Sequence, residues 1–298
     1  MIYVRGWLVY SEERIKRNAA YARMHQAWCE EHGVELRLVL VERLRYGIGP
    51  GGVWFAYDGK PLEMPAFAIV RCEDLDVRRL LELGGAVVAN GSQIGLVAND
   101  KLRTYELAHR LAIPYLEVFS PSVAKERSET FPVVIKPRHG HGGEGVRLVH
   151  SAAELASQFA EGGQALKEDT WLCQRVAPVV GRDLRVYVLG GEVLAAMLRT
   201  ASKDSFLSNY CRGGSAREYK LSASERALAL KVARAMGDGY YGIDFLFDGN
   251  GGLLLNEIED VVGSRMLYAL TSIDVVDRHL SHVLSLCETR GREDAICR

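Results

Sequence analysis

Apolar and polar positions follow two successive patterns along the chain. Ile2 to Tyr10 reads as a strand, Glu12 to His32 has the spacing of an amphipathic helix stopped by Gly33, and Val34 to Val41 reads as a second strand. Ala66 to Arg71, a helix over Leu75 to Leu83 and a strand over Ala86 to Ala89 continue the β/α alternation, which predicts a small parallel sheet. Between them Arg45 to Pro65, rich in glycine and proline, predicts a loop with one short hairpin, VWFAYDGK. The first domain is placed at residues 1 to 97.

From Asn99 the pattern changes. A helix with apolar positions at Leu102, Leu107 and Leu111 leads into the strand YLEVF, then into a hairpin at FPVVIKPRHGHGGEGVRLV, residues 131 to 149. A helix over Ala152 to Phe159, the strand TWLCQRV, two strands around Gly190 and Gly191, the helix SERALALKVARAMG and the hairpin YGIDFLFDGNGGLLLNEIED follow. Hairpins outnumber crossovers, so the second domain, residues 98 to 298, is expected to be α+β on an antiparallel sheet. A last helix over Ser272 to Cys287 is expected to pack on that sheet, with His279 and His282 on its polar side.

The 298 residues, 48% apolar and 25% charged, have a formal net charge of −1 with acids and bases mixed. No field to hold a nucleic-acid backbone results. No apolar run approaches the roughly 20 residues that span a bilayer, and the amino terminus lacks a signal-peptide core, so a cytoplasmic protein without export or membrane anchor is expected. Six cysteines at wide, irregular spacing suit free thiols better than a disulfide framework or a zinc site.

The glycine-rich stretch poses a chemical question. GHGGEG, residues 140 to 145, satisfies G-x-G-x-x-G, but a dinucleotide fingerprint needs a helix directly afterwards, whereas VRLVH alternates like a strand. A kinase loop has its lysine after the glycines, and a Walker loop is missing. What survives is Lys136 at a strand end followed by a hairpin tip whose backbone N–H groups, including those of Gly142 and Gly143, are able to fold over phosphates. An ordinary glycine turn beside a snorkelling lysine accounts for the stretch equally well.

The second glycine hairpin weighs on that choice. Glu257 and Glu259 lie two apart on a strand and face one way, and a turn over Gly249 to Gly252 sets Asp244 opposite Glu257. Each close carboxylate pair repels by about 4 kcal/mol at ~4 Å and an effective dielectric near 20, so a cation is expected among them, a solvated acidic hairpin edge being the alternative. Oxygen ligands select Mg²⁺ or Mn²⁺, which bridges to nucleotide phosphates.

The order NDK, VVIKP with its glycine hairpin, CQRV, GRDLRVYVLGGEV, SNYCRGG, GIDF and LLNEIEDVVG resembles the ATP-grasp superfamily. It is most similar to RimK-type carboxylate-amine ligases, over about residues 97 to 290. The resemblance implies an ATP-grasp fold with an N-terminal pre-ATP-grasp domain, a glycine-hairpin lid at about 115 to 173, and ATP between two antiparallel sheets. It implies that Lys101 and Lys136 contact phosphates, that Gln174, Arg175 and Val176 border the adenine, and that Asp183 or its surroundings reaches the ribose. Asn209 and Arg212 would lie near the phosphates, and Asp244, Glu257 and Glu259 would hold Mg²⁺. Two departures stand out: the strand ends EIEDVVG, with Glu259 where the family has asparagine and Val262 where it has proline, and Arg175 replaces an acidic residue.

The implied reaction phosphorylates a carboxylate to an acylphosphate, which an amine then attacks. Arg185, Arg199 and Arg212 are the candidates for neutralising charge. The expected substrates are an amino-acid-like carboxylate with an amine or a peptide or protein acceptor, and such ligases often assemble as dimers or tetramers. A non-catalytic ATP-binding module and a small-molecule phosphotransferase are the alternatives on the same fold. His139 and His141 stand where they could meet phosphate or merely lie exposed in a turn. Arg71, at a first-domain strand end, either grips a substrate carboxylate or pairs with Glu73 or Asp74.

Overall fold

The computed structural model describes residues 4–160, 167–202 and 214–296. Its first segment runs β1 (Arg5–Tyr10), α1 (Glu12–Glu31), β2 (Glu35–Leu40), β3 (Leu44–Gly49), β4 (Gly52–Tyr57), β5 (Lys60–Leu62), β6 (Phe67–Val70), α2 (Leu75–Leu83), β7 (Val87–Ala89) and α3 (Ser92–Ala98). Next come α4 (Lys101–Arg110), β8 (Val118–Phe119), α5 (Pro121–Glu126), β9 (Val133–Pro137), β10 (Arg147–Val149), α6 (Ala152–Ala160) and β11 (Trp171–Arg175). The chain continues through β12 (Arg182–Leu189), β13 (Glu192–Thr200), β14 (Ser215–Glu218), α7 (Ala223–Met236), β15 (Tyr240–Phe247) and β16 (Leu253–Glu259), and ends with α8 (Arg265–Leu270) and α9 (Val275–Ile296).

Two compact units result, one of residues 1–95, 237–240 and 260–298, the other of residues 96–236 and 241–259. In the first, a parallel sheet has the order β2-β1-β6-β7. Alternation puts Leu8, Tyr10, Phe67 and Ile69 on one face and Trp7, Val9, Ala68 and Val70 on the other. Ser11 accepts from the Arg14 amide and Asp74 from the Val77 amide, which starts α1 and α2 where the sequence places them. Residues 44–62 depart from the expected loop and hairpin. Leu44–Gly49 also pairs, making a three-stranded antiparallel sheet β3-β4-β5, with Leu44 of β3 and Phe55 of β4 buried in one cluster with Trp7.

The carboxyl-terminal helix also departs from expectation. Val276, Leu280 and Val283 of α9 pack with Leu8, Tyr10, Phe67 and Ile69 on the parallel sheet, not on the antiparallel one. His279, expected on a polar face, is buried, while His282 bonds Asp238 at 2.7 Å. This packing groups residues 260–298 with the first unit. A buried polar knot reinforces it: Arg78 pairs with Asp260 at 2.6 Å and donates to the Cys72 carbonyl, and the Asn90 amide donates to the carbonyls of Tyr240 and Asp260.

The second unit carries two antiparallel sheets, β10-β9-β11-β8 and β14-β13-β12-β15-β16. The β9–β10 hairpin encloses the glycine stretch, with Gly140, Gly142, Gly143 and Gly145 all at positive φ. Cys29, Cys72 and Cys287 are free thiols, and no helix among the described residues is long and apolar enough to cross a membrane.

Replacing Asp260 by alanine leaves the Arg78 guanidinium buried without its carboxylate. Urea unfolding of Asp260→Ala should show a loss of about 3–5 kcal/mol, whereas an exposed ion pair such as Arg17–Glu13 should contribute less than about 1 kcal/mol.

Candidate active site

The glycine hairpin is anchored at its base. Asp100 caps α4 by accepting from the Leu102 amide at 3.0 Å, and Arg138 grips its carboxylate with two bonds of 2.7 and 2.6 Å. Burial opposes the Asp100 charge, but the Arg138 guanidinium outweighs it and holds the carboxyl below its ordinary pKa. The Lys101 amide donates to the Arg138 carbonyl, and the His139 ring meets the Asn99 carbonyl at 2.8 Å. Lys101 therefore enters the helix directly beneath the turn. Its ammonium donates to the Gly140 carbonyl at 2.7 Å and lies 3.2 Å from Glu257.

Lys136 lies in the same neighbourhood. Its Nζ reaches the Tyr105 hydroxyl at 2.7 Å, Gln174 Oε1 at 3.0 Å and Asn256 Oδ1 at 3.3 Å, so α4, β9, β11 and β16 converge on one ammonium. Burial drives its pKa down to about 7; Glu257 works against that shift and Lys101 adds to it. Burial also raises the Tyr105 hydroxyl well above its ordinary value, so it stays protonated. Tyr105 and Asn256 were not picked out from the sequence. A β-bulge explains Asn256: Asp244 pairs with Glu257 and Phe245 with Leu255, which leaves Asn256 as the extra residue.

Beside this cluster the five-stranded sheet carries a charge network. Arg185 holds Asp244 through two bonds of 2.7 and 2.6 Å and also contacts Glu259. Arg199 holds Asp183 in the same forked way and reaches Asp244 at 2.7 Å. Four carboxylates, Asp183, Asp244, Glu257 and Glu259, are thus met by Arg185, Arg199 and Lys101. Burial opposes the Asp244 charge, yet the two guanidinium groups overcome it and bring its pKa down to about 2. Asp183 and Glu259 are shifted upward, in both cases chiefly by burial.

The sequence-based expectations meet this geometry unevenly. Asp244, Glu257 and Glu259 do come together, but the repulsion taken to require a metal ion is relieved by the protein's own cations. Among the described residues no group of three or more His, Cys, Asp or Glu side chains is arranged to hold a metal by itself. Each Asp183 oxygen accepts one bond from Arg199. Gln174 points into the Lys136 cluster, whereas the Arg175 side chain turns to Glu117 and the Thr130 carbonyl, leaving only its backbone at the expected nucleotide border. Val176 follows the end of β11, half-buried. Gly142 and Gly143 form the tip of the turn, and Asn209 and Arg212 lie outside the described residues.

The Lys136 environment has a measurable signature. Its ammonium should titrate near pH 7 in NMR spectra of protein carrying ¹³Cε-labelled lysine, well below the roughly 10.4 of an unfolded chain. Between those values the unfolded state binds the extra proton, so stability against urea should rise with pH across that window. Lys136→Met should flatten the rise.

Comparison with known proteins accords with this geometry. The RimK-like ATP-grasp domain model matches residues 99–283. An uncharacterized protein of Mycoplasma pneumoniae is 32% identical over 212 residues, 70% of this chain and 71% of its own length. A probable alpha-L-glutamate ligase of Marinomonas sp. is 32% identical over 253 residues, 79% of this chain and 83% of its own. In fold, the chain resembles the ATP-grasp ligase PsnB, solved with a phosphomimetic variant of a minimal precursor, Mg and ADP; the TM-score is 0.67 at 16% identity, covering 96% of this chain and 99% of that one. With its glycine hairpin, paired antiparallel sheets and matched central region, the chain belongs to the RimK-like ATP-grasp family of ATP-dependent carboxylate-amine ligases.

Proposed function

We propose that this ligase joins an amino-acid-like carboxylate to an amine through an acylphosphate, using the charged face of the second unit's sheets as its phosphate site. The observation that carries the reading is the concentration of Lys101, Lys136, Arg185 and Arg199 around four carboxylates on one side of β12, β13, β15 and β16. Buried ion pairs are costly compared with apolar packing, so such a set is better explained by charge that arrives and develops during a reaction.

Each residue has a role in that chemistry. The forks of Arg185 and Arg199 match a phosphoryl group or a carboxylate, and Asp183 fixes the orientation of Arg199. Lys136 is held partly deprotonated by burial and takes up a proton when phosphate charge approaches. Lys101 links the glycine turn to Glu257, and the tip N–H groups of Gly142 and Gly143 cover the phosphates. Gln174 and the backbone at Arg175 and Val176 border the base, and Asn209 and Arg212 are further candidates for phosphate contact.

The donor set fits Mg²⁺, with Mn²⁺ served by the same oxygens. Glu257 and Glu259 are only partly covered, and Glu259 Oε2 is buried against Arg185 without an aligned hydrogen bond. Those two carboxylates would hold the ion with phosphate and water completing its shell, and Asp244 would join them only if Arg185 or Arg199 shifts. The ion supplies neutralisation of phosphate charge. The PsnB complex with Mg and ADP and the ligase names of the relatives support this assignment and make L-glutamate the first substrate to test. The precursor bound in PsnB supports trying peptide acceptors beside free amines.

The test is ADP release from ATP and Mg²⁺ with L-glutamate and a pool of amines and peptides, followed by product mass. A product at the summed masses of the acid and the amine less one water is expected, with ADP and phosphate released. Glu257→Ala should lower turnover by about 100- to 1000-fold because it removes a carboxylate that would hold the ion, and Arg199→Lys by roughly tenfold or more because it removes a guanidinium fork aimed at developing negative charge. Tight ATP binding without turnover for any acceptor would favour a binding module, and a phosphoester product would favour a phosphotransferase; either sinks the amide-forming reading.

A further inference from the structure

In the first unit five side chains have a buried polar atom that the mechanism above does not use; Arg78 Nε is one, but the Arg78 Nη groups are bonded in the Asp260 knot. The other four, Arg71 Nε, His25 Nε2, His279 Nε2 and the Tyr10 hydroxyl, are buried without an aligned hydrogen-bond partner among the described residues, although Tyr10 also acts on the Arg71 guanidinium. Buried polar groups are almost always satisfied, so one orphan needs an explanation and four call for a common one. Arg71, His25 and His279 are each less than a tenth exposed. They are linked through shared aromatic neighbours: Arg71 lies 5.1 Å over the Tyr21 ring, Tyr21 sits 4.6 Å from His25, His25 6.4 Å from His279, and His279 5.4 Å from Tyr240.

Arg71 has no carboxylate partner among the described residues. The two acids that sequence proximity offers are both engaged elsewhere, Glu73 with Arg14 and Asp74 in capping α2. Asp274, the acid that acts on His25, caps α9 by accepting from Val276 and Asp277 and takes the Tyr268 hydroxyl. Arg71 donates from Nη2 to the Val262 carbonyl at 3.0 Å, and the Tyr10 hydroxyl is a side-chain hydrogen-bonding neighbour. Burial disfavours its charge, but the surrounding tyrosines hold its pKa above the ordinary value, so the cation persists.

The position in the fold points the same way. Tyr10 ends β1 and Arg71 follows β6, two adjacent parallel strands joined there by the Arg71 amide on the Val9 carbonyl. In the order β2-β1-β6-β7 the chain turns one way after β1 and the other way at β6, so these two strands flank the topological switch point. Open parallel sheets bind ligands beyond the carboxyl ends of the strands at that point.

The unsatisfied atoms also differ in kind. Arg71 Nε is a donor on a cation and suits a carboxylate oxygen. The Tyr21 carbonyl, which only accepts, lies 2.8 Å from His25 Nδ1, so that nitrogen carries the proton. Burial keeps the ring neutral, with its pKa down to about 4, which leaves Nε2 as an acceptor awaiting an N–H or O–H. We infer that Arg71, with Tyr10, His25 and His279, forms a recognition site in the first unit for a small carboxylate that also carries a hydrogen-bond donor, an α-amino acid being the simplest. This site rests on the first unit's geometry alone and stands whether or not the charged face of the second unit proves catalytic.

Calorimetric titration of the full chain, without ATP or Mg²⁺, against the common L-amino acids and against acetate tests it. Saturable binding of at least one amino acid is expected, with acetate weaker by tenfold or more because it brings no donor to His25. Arg71→Lys, which keeps the charge but loses the fork, should weaken binding at least tenfold, and Arg71→Gln at least a hundredfold. A purely structural Arg71 would show the opposite pattern: both variants would melt lower and amino-acid binding would be absent or unchanged. Removing an uncompensated buried charge at a ligand site should instead leave the melting temperature of the ligand-free protein unchanged or raised. Should Arg71→Gln fail to fold, Arg71→Lys and Tyr10→Phe carry the measurement. No detectable binding at millimolar amino acid, or binding indifferent to Arg71→Lys, overturns the inference. ATP turnover measured on the same preparations reports separately on the second unit.

Discussion

The shared carboxylate of Asp244 organises the second unit. Two guanidinium groups from neighbouring strands close on it, Arg185 with both forks and Arg199 with one, while Arg199 also grips Asp183. None of these charges is comfortable under cover by itself, and losing one leaves its partners stranded in a poorly solvated place. The pairing therefore ties chemistry to register. Asp183 pairs with Arg199, and Asp244 with Glu257, only in the observed alignment of β12 with β13 and β15 with β16. A slip of one residue would turn half the set to the opposite face.

The bulge at Asn256 solves a related problem. Along a regular strand, Asn256 and Glu257 would point apart. The extra residue releases that constraint, so that Asn256 Oδ1 accepts from Lys136 while Glu257 meets Lys101. Two ammonium groups of one site are thus anchored by consecutive residues. The Tyr105 hydroxyl, donating to the Asn256 carbonyl at 2.8 Å and accepting from Lys136 and Gln174, makes the same junction from the helix side.

Much of this was legible in the sequence, for identifiable reasons. Continuous apolar runs gave β1 and β6 and alternation gave β2 and the glycine hairpins, while i, i+2 spacing put Glu257 and Glu259 on one side with Asp244 opposite. Local periodicity carries no information on which sheet a distant helix will cover, so α9 was assigned to the wrong one. Its apolar stripe is the same in either case, and only tertiary packing selects Leu8, Tyr10 and Ile69 as its partners. Charge balance failed similarly: acids adjacent in sequence could be counted, whereas Arg185 and Arg199, some 45 to 59 positions from Asp244, could not be recognised as its counter-ions. Tyr105 and the neighbours of Arg71, namely Tyr10, His25 and His279, were hidden because tyrosines and histidines read singly as ordinary helix and strand-end residues.

The clasp between residues 99–101 and 138–139 has a bearing on how freely the glycine turn can vary. Arg138 is fixed to Asp100 by its side chain and to Lys101 by its carbonyl, and His139 to the Asn99 carbonyl, so the strand leaving Lys136 is pinned before the first glycine. Mechanical freedom begins only past that pin. The tip can thus be lengthened, shortened or recomposed as a cover for differently shaped cargo while the ammonium beneath keeps its address, which separates the part of the protein that adapts from the part that must not.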